Sequence, residues 1–127
     1  MHALFFPDGA KDNDGPKSFN AASKLRDLFI AAFDLQDTPE CLTLHDEKEL
    51  CVYKISLNPG YDFGKPFLVP DWAVFVPLPM FSLIYPWFAQ HHGALDVLLH
   101  PNTGCPELDH TSYASWLGQK WEVKQSF

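Results

Sequence analysis

Apolar and polar residues fall in blocks along this chain, and the spacing within each block predicts an element. His2 to Phe6 is a short apolar run closed by Pro7-Asp8-Gly9, which suits a buried strand. Beyond a polar loop, Ser18 or Asn20 caps a helix, because Phe19, Ala22, Leu25, Leu28, Phe29, Ala32 and Phe33 recur at helical spacing. Leu42 to Leu57 carries β-branched and aromatic residues around a charged Asp-Glu-Lys-Glu turn and predicts one bent strand or a hairpin. Trp72 to Val76 is a continuous apolar run between Pro70-Asp71 and Pro77, which marks a central strand. Pro79 to Gly93 reads as a second helix, with a proline in its first turn, a glycine past its end and Pro86 as an expected kink. Leu95 to Leu99 is a further strand, and Asp109 is expected to cap a last short helix ending at Gly118.

Strand, helix, strand, strand, helix, strand is the order of the split βαβ, a ferredoxin-like α+β fold whose antiparallel sheet carries its helices on one face. The expected strand order is 4-1-3-2, within one domain spanning residues 1–127. On that topology His2, His100 and the loop bearing His110 share one sheet edge, and Asp71 is expected to face the same edge.

Composition narrows the function. The chain has 127 residues, 46% hydrophobic and 15% aromatic, enough for a dense core. Its net charge of -7 repels phosphate backbones and anionic lipid, so neither nucleic acid nor a membrane surface is an expected partner. Three cysteines, Cys41, Cys51 and Cys105, form no CxxC pair, and one is left over in any disulfide scheme. Free thiols in a reducing cytoplasm are the expectation. The N-terminal stretch has no basic leader followed by an apolar run.

The chemistry concentrates between His91 and Gly118. His100 ends an apolar strand and His110 is expected to open a helix, so rigid elements could aim both rings into one pocket as metal ligands or acid/base groups. The plainer reading is two loop histidines bonded to backbone. Cys105 between them could complete a zinc site, although the spacing matches no strong zinc motif. Asp109 is most simply a cap and could also orient His110. His91 and His92 read as helix C-terminal caps, and His45 as solvated, with a reserve role because the expected sheet brings the end of strand 2 towards the same edge. Phe81, Tyr85, Trp87 and Phe88, with Trp72 and Phe75, read as core. There is no glycine-rich phosphate loop, GxSxG elbow or HExxH helix, which turns the reading away from nucleotide hydrolysis, α/β-hydrolase chemistry and common zincins.

LDVLLHPNTGCPELDHTSYASWLG, with Pro86-Trp87-Phe88 ahead of it, resembles the strand, HPxTG and DHTxxAxWLG signature of the DOPA 4,5-dioxygenase family. The resemblance implies a ferredoxin-like fold and a mononuclear non-haem iron(II) site where a catechol such as DOPA is opened with O2. On that resemblance His2, His100 and His110 are the expected metal-ligating imidazoles, the latter two also catalytic candidates, with Asp71 or Asp109 as a candidate carboxylate of the iron site; Asp71, Asp109 and Thr103 are the expected substrate-binding groups. The chain departs from the family pattern twice. His2-Ala3-Leu4-Phe5-Phe6 stands where the family has HxHxYF, and Phe67 occupies the histidine position of GPHP. A homodimer is expected. The alternatives are a dimeric binding module for small aromatics that has lost turnover, and a zinc protein.

Overall fold

The computed structural model describes residues 2–4, 16, 18–43, 47–56 and 70–123, with only the backbone course given for 2–4. The elements are β1 (His2–Leu4), α1 (Phe19–Ala32), β2 (Cys51–Val52), β3 (Asp71–Phe75), a 3-10 turn (Leu78–Met80), α2 (Phe81–His91), β4 (Asp96–Leu99), α3 (Pro106–Asp109) and β5 (Ser115–Leu117). They build a five-stranded sheet of order β2-β3-β1-β4-β5 in which every neighbouring pair is antiparallel. The expected 4-1-3-2 order is therefore present, extended at one edge by β5, and the fold is a ferredoxin-like α+β fold.

Ser18 begins α1 as predicted, its hydroxyl accepting from Ala21 N at 3.2 Å. Ala22, Leu25 and Phe29 form the buried stripe of that helix and pack with Ile84 and Phe88 of α2 on Val52, Trp72, Val74, Val97 and Leu99 of the sheet. Phe29, fully buried, is the hub. Its ring stacks on Phe88 at 5.2 Å and meets Trp87 edge-on at 5.3 Å, while Trp72 lies at 6.4 Å. The aromatic block of α2 divides: Phe88 is core, whereas Phe81 and Tyr85, expected inside, stack on each other at the surface.

Alternation along the strands sends Leu98 to the opposite face, where Ala114, Trp116, Trp121 and Val123 cover it. All of β4 and Asp71 to Val74 of β3 are buried, which is why those strands read as nearly unbroken apolar runs.

Four expectations need correction. Among the described residues of the predicted strand or hairpin over Leu42 to Leu57, which leave out 44–46 and 57, the strand pairing is the two-residue β2 and an isolated bridge from Ser56 to Asp71. Ahead of β2, Glu47 accepts from Thr43 N and Leu42 N, bonds that hold its carboxyl below the usual range. A disulfide joins Cys41 to Cys51, so two of the three cysteines expected as free thiols are paired, and the free one, Cys105, is exposed.

The last helix is also different. Pro106 occupies the first helical position, where its missing N–H costs nothing, so α3 starts earlier than predicted and ends at Asp109. Residues Ser115–Leu117 then pair with β4, drawn there by buried Asp96, whose carboxylate accepts from Gln119 N at 2.7 Å and Trp121 Nε1 at 2.6 Å. Gly118 ends this strand at φ 90°, against the Asp96 side chain, where no Cβ would fit.

The remaining correction concerns strand direction. β1 and β3 are antiparallel, pairing His2 with Ala73 and Leu4 with Asp71. Asp71 therefore enters the sheet at the end away from His2. Among the described residues, no helix is long and apolar enough to cross a membrane.

Candidate functional site

The structure brings His100 and His110 together: their ring centroids are 4.0 Å apart, tilted by 43°. His100 is the first residue past β4, so its direction is inherited from the sheet. His110 is the C-terminal cap residue of α3 and does not open a helix as predicted. Each ring is oriented by a backbone carbonyl. His100 Nδ1 lies 2.8 Å from Pro101 O, and His110 Nδ1 lies 2.8 Å from Pro106 O. A carbonyl only accepts, so in both rings Nδ1 carries the proton and the neutral imidazole holds its lone pair on Nε2.

Burial lowers the pKa of His110 from its ordinary value, opposed by the bond to Pro106 O and by the negative charges of Asp109 and Asp71. The charge of Asp71 thus reaches His110 even though its strand position is at the far sheet end. Asp109, expected to cap a following helix, is the last residue of α3 and almost fully buried, with a relative exposure of 3%. Its carboxylate turns back into the preceding loop, where Oδ1 accepts from Thr103 Oγ1 at 2.6 Å and Oδ2 from Thr103 N at 3.0 Å.

Other candidates lie elsewhere. In the register of β1, His2 stands opposite Leu98 of β4, two residues ahead of His100, and its side chain lies outside the described residues. His45 and Phe67 also lie outside them. His91 and His92 end α2 as expected, with Nδ1 atoms 2.7 Å from Trp87 O and Leu95 O. Asp96, which anchors the segment covering Leu98, was missed by sequence reasoning. Its signal was a single acidic residue inside the apolar run Leu95 to Leu99.

The pair suits a divalent metal in its donor chemistry, because metal-bound histidines are neutral and characteristically give their other N–H to a carbonyl or carboxylate. Among the described residues, no group of three or more His, Cys, Asp or Glu side chains gathers around a possible metal position, and His100, Cys105 and His110 do not form one. A facial iron site takes two histidines and a carboxylate, with open positions for substrate and oxygen.

The sequence matches the Dopa 4,5-dioxygenase family over residues 10–127. That is nearly the whole chain, and the protein belongs to this family. The fold is similar to the crystal structure of a candidate dioxygenase from Nostoc punctiforme, with a TM-score of 0.67 and 21% identity over 98% of this chain and 84% of that one. No curated protein matches the sequence.

Proposed function

We propose that the chain is an extradiol ring-cleaving dioxygenase that opens a catechol such as DOPA with O2, at a single iron(II) held by His100 and His110, with His2 as the third imidazole. The observation that carries this reading is the pair itself: two rings 4.0 Å apart, each with Nδ1 on a backbone carbonyl, in a member of the Dopa 4,5-dioxygenase family. When bound, iron(II) would supply the centre at which catechol and O2 meet. The rest of the chemistry belongs to the protein. The lowered pKa of His110 keeps its ring neutral near neutral pH, and a neutral ring can hold the metal or accept a catechol proton. The negative charges of Asp109 and Asp71 favour a proton arriving at His110.

The test is oxygen uptake and yellow colour on mixing the iron(II)-loaded protein with DOPA or a simpler catechol under air. His100→Ala and His110→Ala are each expected to lower the rate by at least about 100-fold. Catechol binding with neither colour nor oxygen uptake would instead identify a binding module. Phe67 in place of a family histidine favours that second reading, and elemental analysis of the purified protein separates iron from zinc. We expect a homodimer, which sedimentation would show. Cysteine arithmetic pointed to the cytoplasm, but bridges such as Cys41–Cys51 are rare in reducing compartments.

A further inference from the structure

We propose that Thr103 and Asp109 are positioning residues, whose paired hydrogen bonds set the separation of the His100 and His110 rings. The inference rests on the site proposed above. The bonds to Pro101 O and Pro106 O orient each ring against its own stretch of backbone, but neither relates one ring to the other. Between the two histidines the chain passes through an irregular loop and one helical turn, with Gly104 at φ 95° where it folds back. Left to itself such a segment would sample a range of ring separations.

Asp109 closes it. It is the immediate neighbour of His110, it is buried, and both of its oxygens are used on one residue across the loop, three positions beyond His100. These are charge-assisted bonds at short distance from an exposed threonine to a buried carboxylate, and charge assistance makes a hydrogen bond stronger and more directional. Displacing Thr103 from Asp109 would shift the His100 side of the loop against the His110 side. Displacements of about 1 Å at a reacting centre cost about 100-fold in rate.

The experiment uses the full chain and two readouts. In the metal-free protein, the magnetisation transfer (NOE) between His100 and His110 ring protons measures the separation directly. In the iron(II)-loaded protein, kcat and KM for catechol cleavage measure its consequence. Thr103→Val keeps the shape and the backbone N–H but removes the hydroxyl bond. It is expected to weaken the NOE and lower kcat about 10- to 100-fold, with KM nearly unchanged. Thr103→Ser, which keeps the hydroxyl, should restore both. Thr103 is exposed, so neither change opens a cavity, and Thr103→Ala provides a second variant that lacks the bond. An NOE and kcat unchanged in Thr103→Val, with only the melting temperature lowered, would reduce the pair to a loop staple and overturn the proposal. So would a missing NOE in the unaltered chain. An NOE that responds to Thr103 in a protein without turnover would uphold the positioning role while the proposed function fails.

Discussion

The two faces of the sheet are held by different physics. On the helix side, Phe29, Phe88, Trp72 and their neighbours form a continuous apolar mass in which no single polar contact decides the arrangement. On the other side, the chain from His100 to Val123 is fixed by two buried carboxylates, Asp109 on Thr103 and Asp96 on Gln119 and Trp121, over a small cluster centred on Leu98. The first arrangement tolerates a change of shape better than a loss of volume. The second tolerates neither the loss of an acceptor nor a shift of its donors. The candidate histidines lie on the second, where direction matters more than bulk.

The largest expected effect breaks the first face. Phe29→Ala should cost about 3–5 kcal/mol in chemical denaturation, because it empties the centre of the aromatic cluster, while the rate per folded molecule stays close to that of the parent. Asp96→Ala should cost about 1–3 kcal/mol, because it removes the buried carboxylate that accepts from Gln119 N and Trp121 Nε1. It should also expose Trp121, read as a red shift in its fluorescence. Gly118→Ala attacks the same anchor from the other side, since its Cβ would collide with Asp96 and its backbone holds φ at 90°, and about 1–3 kcal/mol is expected. A cost for Gly118→Ala within about 0.5 kcal/mol, the range of ordinary surface changes, would mean that β5 is not held by Asp96.

The smallest effect is the dependence on pH. Because burial lowers the pKa of His110, the unfolded chain binds more protons than the folded one between the lowered value and the unfolded value of about 6.5. The stability linked to this ring is therefore fully present above that unfolded value and is lost as pH falls through the lowered folded value. His110→Gln should flatten that part of the stability profile of the metal-free protein, and an unchanged slope would remove burial of this ring as its cause.

The helix side was legible in the sequence because its cues are periodic. Phe19 to Phe33 and Trp72 to Val76 declare their elements by spacing alone, and the element order then gave the strand order. The second face was less legible because its determinants are long-range. Asp109 resembles a helix cap locally, but Pro106 starts the helix sooner and Thr103 takes the carboxylate. β5 is a three-residue edge strand whose position depends on Asp96, 19 positions before Ser115. The meeting of His100 and His110 was nevertheless readable, since a turn-rich segment between two histidines brings their ends together. Asp71 lies at the opposite sheet end from the one expected, because antiparallel pairing sets the start of β3 beside the end of β1. The odd number of cysteines concealed the bridge from Cys41 to Cys51. A thiol titration of the denatured, unreduced protein should find one group, Cys105, and after reduction three.

The claim on which the rest depends is that His100 and His110 hold one metal. Anaerobic titration of the metal-free chain with iron(II) tests it directly. One iron per chain is expected, with affinity falling by about 100-fold or more in both His100→Ala and His110→Ala, beyond the upper end of what loss of an outer-shell partner costs. Iron bound as tightly by either variant as by the parent chain would contradict it.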